Sequence, residues 1–379
     1  MYDLVLTGGR VIDPAQNLDR VTDVAFADGK VAAVGAGLAR RKAGEVRNVA
    51  GSIVTPGLID LHTHIYWGGT SAGVEPDAYA RQSACTTLID AGTAGPANMM
   101  GFRKHVIERS ECRILPYLNI SFPGIFAFSP TVMVGECDDL RLLSPADCVR
   151  VGREHADLVV GVKVRVGRGA SGASGLAPLD MALEAAQQLG LPVMTHLDHP
   201  PPHRPDVMAR LRKGDVLTHC FRPFPNNPAT GDGGVYKDVM AARQRGVIFD
   251  IGHGKGSFGY ETAKTMIKNG FLPDVISSDV HVLSIKGPAY DLLHTMSKFI
   301  AMGMPLKEII RANTINAAKA VRRSDRGTLK PGTLGDASII NTKKGSFTFE
   351  DVVGEKFKGK EHLTCRGIVL GGKWWHGKR

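Results

Sequence analysis

Short apolar runs alternate with longer amphipathic stretches through the middle of the chain. The amphipathic stretches include residues 179–189 and 234–245, which have the spacing of a helix with one apolar face. The apolar runs lie at 58–62, 86–91, 113–120, 160–166, 192–196, 215–219, 247–251 and 274–278. Strands that alternate with helices pair in parallel, and eight such units are the number that closes a barrel. The pattern therefore predicts an α/β fold of the (β/α)8 TIM-barrel type.

The two ends of the chain have a different pattern, in which β-type runs follow one another without helical stretches. At the start these runs are 2–12, 21–35 and 46–54, with a hairpin signal at Ala27-Asp28-Gly29-Lys30. After residue 322 they return at 332–340, 347–353, 356–357 and 365–370. We therefore predict a small β-sandwich domain made of residues 1–55 and 323–379, beside a barrel domain at 56–322.

Composition and charge narrow the class of protein. The 379 residues are 43% hydrophobic and 22% charged, which is an ordinary globular balance. The formal net charge is +10, but lysines and arginines are scattered, so we expect a small-molecule substrate, which can be anionic, and no nucleic acid. No apolar run approaches the ~18 residues of a membrane span, so we expect no membrane partner. We also expect a homo-oligomer.

The cysteines indicate a reducing compartment. All six stand singly without a Cys-x-x-Cys pair, and the first residues lack the basic and apolar regions of a signal peptide. A long chain with scattered cysteines is typical of a cytoplasmic protein without disulfides.

Candidate metal ligands fall at the ends of the predicted strands, the side on which barrels build their active sites. His62 and His64 end the first strand two residues apart, so both imidazoles point to the same side. His196 ends the fifth strand, His219 the sixth, and Asp279 follows the eighth, which neighbours the first in a barrel. Taken singly, such a histidine is more often a hydrogen-bonded polar residue, and such an aspartate can cap a helix. Together they favour a metal site.

Lys163 stands inside the apolar run 160–166. An ammonium has no lone pair for a metal, and burying it unpaired is costly. One interpretation is a lysine that reaches the rim of the barrel with its charged end. The other is a lysine whose pKa is lowered by burial and which adds carbon dioxide to become an anionic carbamate ligand.

In order along the chain, these residues resemble the binuclear subgroup of the amidohydrolase superfamily, which includes dihydroorotases, hydantoinases and isoaspartyl dipeptidases. The resemblance covers essentially the whole chain. It rests on Pro56-Gly57-Leu58-Ile59-Asp60-Leu61-His62-Thr63-His64, followed by Lys163, His196, His219, Asp279 and residues 313–318. The segments 62–70, 218–221, 250–254, 279–281 and 296–298 are similar to a bacterial group often described as amidohydrolase/deacetylase.

The resemblance implies two divalent metal ions. It places His62 and His64 on the more buried metal, His196 and His219 on the other, and carbamylated Lys163 as a bridge. Histidine and carboxylate ligands suit zinc, without excluding manganese or cobalt. We expect a metal-bridging hydroxide to attack a substrate carbonyl while Asp279 passes a proton to the leaving group.

The predicted function is a deacetylase or deacylase of a small N-acyl or O-acyl acid. The alternatives are a cyclic amidohydrolase of the dihydroorotase or hydantoinase type and a non-catalytic assembly protein. Dihydroorotases carry an arginine two residues after the second histidine, where this chain has Tyr66. The candidate substrate-binding residues are His253, His281, Tyr66 and Arg222.

Overall fold

The first 56 residues form strands that belong to two separate sheets. The computed structural model describes residues 1–375. The first strands are β1 (Tyr2–Thr7), β2 (Arg10–Asp13), β3 (Leu18–Val21), β4 (Asp23–Ala27), β5 (Lys30–Gly35), β6 (Ala43–Asn48) and β7 (Ile53–Pro56). Four of them form a sheet in the order β5-β4-β1-β6. The predicted hairpin joins β4 to β5, and its turn residues Asp28 and Gly29 both have positive φ, as a type I′ turn requires.

Seven parallel strands in chain order form the sheet in the middle of the molecule. They are β8 (Leu58–Thr63), β9 (Cys85–Ala91), β10 (Arg113–Asn119), β11 (Gly161–Val166), β12 (Val193–Leu197), β13 (Val216–Leu217) and β14 (Ile248–Phe249). These strands match the first seven predicted runs. Every neighbouring pair is parallel, so all their carboxyl ends lie at one edge.

The eighth predicted run, 274–278, is not a regular strand. Single parallel bridges join Val275 to Asp250 beyond β14 and Val280 to Thr63 of β8. Part of this segment's hydrogen-bonding capacity is used by side chains, because the amides of Asn313 and Asn316 donate to its carbonyls. Parallel pairing still runs through this segment from one edge strand of the sheet to the other.

Helices follow most of the parallel strands. They are α1 (Pro76–Ser83), α2 (Met99–His105), α3 (Pro145–Glu154), α4 (Ala177–Leu189), α5 (Arg204–Arg210), α6 (Lys237–Arg245), α7 (Tyr260–Lys268), α8 (Leu292–Ala301), α9 (Leu306–Arg311) and α10 (Ala317–Ala320). The predicted helix 179–189 is α4. The predicted helix 234–245 begins later, at Lys237, because Gly234 closes a turn onto Thr230. No helix among residues 1–375 is long and apolar enough to span a membrane.

The last strands return to the sheet that the first residues began. They are β15 (Ala337–Glu350), β16 (Lys356–Leu370) and β17 (Lys373–Trp374), and the six-stranded sheet has the order β17-β16-β15-β7-β2-β3. The separate runs predicted here are in fact one long antiparallel hairpin, because its polar middle keeps pairing across the two strands. The predicted segment 323–379 extends into residues 376–379, which lie outside the described residues.

Candidate metal centre

The end of β8 brings two histidines to a carboxylate. The Nε2 atoms of His62 and His64 lie 3.3 and 3.2 Å from Oδ1 of Asp279. All three residues are buried, and their ligand atoms are close enough together to hold one metal ion. The alternation of side chains along a strand explains why residues 62 and 64 share a side. Asp279 reaches them because its segment bridges to β8 through Thr63 and Val280.

Two further histidines complete the cluster. The ring of His219 lies 5.0 Å from that of His62 and 4.5 Å from that of His196, between centroids. His219 and Asp279 both have positive φ, at 63° and 48°. Residues other than glycine adopt this region at a cost, and such strain is concentrated at functional sites.

Hydrogen bonds fix which nitrogen of two histidines faces the centre. Nδ1 of His219 lies 2.7 Å from the carbonyl oxygen of Gly252 and must donate, because a carbonyl only accepts. Nδ1 of His62 lies 2.8 Å from Oγ1 of Thr218, which in turn donates to Asp250 at 2.7 Å. With its proton given to Asp250, Thr218 accepts from His62. Nε2 of both neutral histidines therefore presents a lone pair, as a metal ligand must.

One hydrogen-bond network orients both His62 and His219. Ser277 donates to Oδ1 of Asp250 at 2.6 Å and accepts from the backbone of Gly252 at 2.9 Å. The orientation of His62 is thus linked to that of His219 through Asp250, Ser277 and Gly252. His64 has a separate support, because its Nδ1 lies 2.8 Å from Oγ1 of Thr93. Such outer contacts orient metal ligands and tune their basicity.

Burial keeps the four histidines neutral. Loss of hydration lowers the pKa of His64 to about 3 and lowers the pKa of His62, His196 and His219 well below the usual value. Burial also raises the pKa of Asp279 to about 6. Neutral imidazoles offer lone pairs and the carboxylate offers a negative charge, so the cluster suits a divalent cation.

Lys163 lies at the floor of this cluster without a partner. Its side chain is buried, and its Nζ makes no hydrogen bond within residues 1–375. Burial lowers the pKa of its amine to about 8. A Cβ on Gly92 would lie 2.4 Å from Cβ of Lys163, so only glycine leaves room for the lysine there. Nε2 of His196 is buried without a hydrogen-bond partner among the described residues, and Oδ2 of Asp198 lies 3.6 Å from it. These atoms fit a site that a metal ion would fill.

The cluster forms the floor of a cavity of about 270 Å³. Ile125, Phe128, Met133 and Phe224 supply apolar wall, and Arg165, Arg222 and Lys255 supply positive charge. Arg165 follows Lys163 by two residues on β11, so it faces the same side. Glu136 accepts from Arg165 at 3.0 Å.

Arg222 is a buried cation of the cavity wall that makes no ion pair with a carboxylate among the described residues. Its Nε has no hydrogen-bond partner there, and its NH2 group donates to Oγ of Ser257 at 3.4 Å. Burial lowers the pKa of Arg222 to about 10, and the nearby charge of Asp198 opposes that shift. A buried guanidinium without a carboxylate partner is ready to bind one.

The structure brings two of the four predicted substrate-binding residues to the cavity, Arg222 and His281. The backbone N–H of Leu283 donates to Nδ1 of His281 at 3.1 Å, so the proton of the neutral ring is on Nε2. Sequence order alone could not separate this histidine from His253.

Tyr66 and His253 are not brought to the cavity lining. The hydroxyl of Tyr66 donates to the carbonyl of Asn98 at 3.3 Å, and its ring lies 4.7 Å from that of Phe102. The ring of His253 is fully buried, stacks on Phe258 and has partners at both nitrogens. Position just after a strand end was a poor guide here, because the backbone turns both side chains into the protein interior.

Sequence reasoning missed the residues that support the histidines. Asp60, Asp90 and Asp250 each stand in or beside an apolar run that ends at the site. Asp90 accepts from the backbone of Thr93 at 2.7 Å, and Asp60 accepts from Ser278 and Tyr79. A carboxylate inside a buried strand needs partners, and that signal was available in the sequence.

Comparison with known proteins gives consistent similarities. The sequence model described as "Amidohydrolase family" matches residues 53–374. The chain is 33% identical over 344 residues to "Deacetylase Atu3266" of Agrobacterium fabrum, which covers 91% of this chain and 84% of that one. It is 31% identical over 375 residues to a "Deacetylase" of Enterococcus faecalis, with 98% of each chain covered.

Solved structures resemble the whole chain. A crystal structure titled as an adenine deaminase superimposes with a TM-score of 0.92 and 30% identity, covering 99% of this chain and 100% of that one. One titled as a dihydroorotase gives a TM-score of 0.88 and 31% identity, covering 99% and 97%.

Proposed function

This chain belongs to the amidohydrolase family, and from that membership we propose that it removes the acyl group from a small N-acyl or O-acyl acid. It is a metal-dependent hydrolase that acts on carbon–nitrogen bonds, similar over its full length to proteins named deacetylases. The observation that carries the finer proposal is the buried guanidinium of Arg222 in the cavity wall, which makes no ion pair with a carboxylate among the described residues and whose Nε has no hydrogen-bond partner there. A substrate carboxylate would satisfy that charge while the acyl group lies over the histidines.

We propose six ligands for two metal ions. His62 and His64 would hold one ion, His196 and His219 the other, Asp279 would join the first pair, and a carbamate on Lys163 would bridge. The neutral histidines and the bare Lys163 amine support this set, because carbamylation requires an unprotonated amine. Zinc is the proposed metal, since histidine nitrogens and carboxylate oxygens suit it. Bound ions of this kind activate water and polarise a carbonyl oxygen.

The chain's own residues then have separate tasks. The carboxylate of Asp279 receives the proton that water releases and delivers it to the leaving nitrogen or oxygen as the acyl bond breaks. Arg222 binds the carboxylate, and Nε2–H of His281 donates toward the substrate from the cavity wall. The apolar wall excludes bulk water.

Strand pairing and the state of the cysteines support further proposals about the fold and the location of the protein. Parallel pairing that returns to β8 through residues 275–280 supports a closed (β/α)8 barrel at 56–322. The four- and six-stranded sheets support a β-sandwich domain made of 1–55 and 323–379. The six free cysteines, five of them buried, support a cytoplasmic location.

A cyclic amidohydrolase activity is not favoured. The position that carries the substrate arginine in dihydroorotases is Tyr66, whose hydroxyl is engaged by Asn98. The converging ligand cluster also gives no support to a non-catalytic assembly protein.

Turnover on a substrate panel tests the proposal. Zinc-loaded protein would be assayed on N-acetyl amino acids, acetylated hydroxy acids, hydantoins and dihydroorotate, with metal-free protein as control. We expect kcat/KM above about 10⁴ M⁻¹s⁻¹ for an acylated acid and much less for its methyl ester, which lacks the charge that Arg222 binds. Turnover of dihydroorotate at that level, or equal turnover of acid and ester, would prove the proposal wrong.

A further inference from the structure

A second lysine is buried close to the metal centre, and every one of its donors is used. Lys298, in α8, is fully buried. Its Nζ donates to Nε2 of His253 at 2.7 Å, to the carbonyl of Pro288 at 2.8 Å and to the carbonyl of Glu350 at 2.7 Å. These three acceptors need three N–H groups, and only the ammonium supplies three. The hydrogen bonds therefore hold the charged form, although burial lowers the pKa of Lys298 to about 7.

The lysine fixes the ring of His253. The carbonyl of Gly254, 3.0 Å from Nδ1 of His253, can only accept, so the proton of the neutral ring is on Nδ1 and Nε2 accepts from Lys298. The ring stacks on Phe258, with 4.7 Å between the centroids. The backbone of His253 donates to the carbonyl of Ser277 at 3.1 Å. A rotated ring or the other tautomer would lose the hydrogen bonds to both Lys298 and Gly254.

Gly254 in turn lies against the carboxylate of Asp279. It has a φ of 55°, and its N–H donates to the carbonyl of Ser278 at 2.9 Å. A Cβ at this position would lie 2.2 Å from Oδ2 of Asp279. The backbone of Gly254 therefore packs against that carboxylate. A shift of Gly254 would change the positions that the carboxylate of Asp279 can occupy.

We propose that Lys298 is a positioning residue that, through His253 and Gly254, holds the carboxylate of Asp279 against the metal centre. The inference rests on the proposed function, in which Asp279 is both ligand and proton carrier. Two of the three acceptors come from outside the site, since Pro288 precedes α8 and Glu350 ends β15. Lys298 thereby connects the long terminal hairpin to the floor of the cavity.

Lys298 also has a structural task, because it satisfies three buried acceptors. Methionine has a similar length and fills the space, but it leaves those acceptors without a donor and should lower the melting temperature. Stability alone therefore cannot separate the two roles of Lys298. The contacts that continue from His253 to Gly254 and Asp279 predict a second effect, on kcat and on zinc affinity.

The test is a double-mutant cycle on Lys298→Met and His253→Asn. Asparagine keeps an N–H that can reach Gly254 but loses the acceptor for Lys298. We expect Lys298→Met to lower kcat by about tenfold or more and to weaken zinc binding by about tenfold, as loss of outer contacts to a metal site commonly does. KM should change less than about threefold. The double variant should lose little more kcat than Lys298→Met alone, because both act through one contact.

Ile339→Val is the matched control. It removes a methyl from the buried core of the terminal sheets and should lower the melting temperature without touching Gly254. A Lys298→Met enzyme with kcat and zinc affinity within twofold of Ile339→Val would overturn the proposal, as would fully additive losses in the cycle. If Lys298→Met fails to fold, unchanged kcat and zinc affinity in His253→Asn would overturn it equally.

Zinc affinity separates this proposal from the proposed function. It is measured by competition with a chelator and needs no substrate. A wild-type protein that hydrolyses no acylated acid would refute the function, whereas weaker zinc binding in Lys298→Met would still support the positioning role.

Discussion

Two lysines of this molecule are buried to the same degree in opposite surroundings. Lys163, at the floor of the cavity, is 1% exposed, and Lys298, in α8, is 0% exposed. Burial lowers the pKa of both, to about 8 and about 7. Lys298 donates to three acceptors, whereas Nζ of Lys163 makes no hydrogen bond within the described residues. The surroundings of Lys298 satisfy an ammonium group completely. The surroundings of Lys163 leave its amine without a hydrogen bond until a ligand is added.

The difference bears on where a ligand would bind. Polar atoms that are buried without a partner cost free energy, so most of them are satisfied in a folded protein. Such atoms of Lys163, His196 and Arg222 line one cavity, although other residues, among them Tyr117 and Tyr260, bury one outside it. Lys298, Asp60 and Asp250 are equally buried but fully bonded, and they stand behind the ligands.

The largest expected effect comes from removing the incomplete lysine. We expect Lys163→Ala to lose bound metal and to lower kcat/KM by on the order of a thousandfold or more, since the metal centre supplies most of the catalysis. Acetate or propionate should partly restore both, because a small carboxylate can fill the place of a carbamate. Metal content and turnover, each with and without the added acid, measure this.

The complete lysine serves as the control for that experiment. Lys298→Met should gain nothing from added carboxylates, because no anion is missing from its surroundings. Full occupancy of two metal ions in Lys163→Ala without any added acid would remove the contrast between the two lysines.

The sequence predicted one of these lysines and not the other, for a physical reason. Lys163 interrupts an apolar strand, and that conflict is visible in seven consecutive residues, 160–166. Lys298 lies in a helix, and its acceptors are 10, 45 and 52 residues away along the chain. No local pattern reports such contacts. For the same reason His253 was predicted at the cavity, although its ring is turned toward Lys298.

The fold shows the same limit. Seven parallel strands could be predicted because each is a continuous apolar run covered on both sides. The eighth run has the same composition, but side-chain amides of Asn313 and Asn316 bind its carbonyls. The hairpin of β15 and β16 was predicted as fragments, because its pairing persists through polar, exposed residues that carry no hydrophobic alternation.

A carboxylate in each environment sharpens the comparison. Asp279 touches the cluster and Asp60 lies behind it, and burial raises the pKa of both to about 6. We expect Asp279→Asn to lower kcat by on the order of a hundredfold, the usual worth of a general acid–base. In metal-free protein at pH 8 its melting temperature should not fall, because a carboxyl with a raised pKa opposes folding once it is ionised. Turnover and calorimetry measure both effects.

The same substitution at Asp60 should lower kcat far less, because Asp60 lies behind the cluster. Asp60→Asn gives Tyr79 and Ser278 a poorer acceptor, but it also removes a carboxyl whose pKa is raised to about 6, so its melting temperature at pH 8 should change little. Near-normal turnover in Asp279→Asn would show that another group moves the proton.

The smallest expected effect is the pH dependence of metal reconstitution, and it follows from the pKa of Lys163. Only the unprotonated amine adds carbon dioxide. With a pKa of about 8, half of the amine is free at pH 8 and about a tenth at pH 7, whereas an ordinary lysine is almost wholly protonated at both. At fixed dissolved carbon dioxide and buffered zinc, the rate at which metal-free protein regains zinc should therefore fall about fivefold from pH 8 to pH 7. Above pH 8 it should rise by less than about twofold more, since half of the amine is already free at pH 8. With a lysine of ordinary pKa, the reconstitution rate would instead keep rising about tenfold per pH unit toward pH 10.

Lys163→Ala rescued by acetate is the control, because it retains every other titrating group, including Lys298, and acetate is ionised throughout this range. Its reconstitution rate should be flat between pH 7 and 9. A rescued variant that followed the wild-type curve would assign the titration to a different group and leave the bare amine of Lys163 without a chemical role.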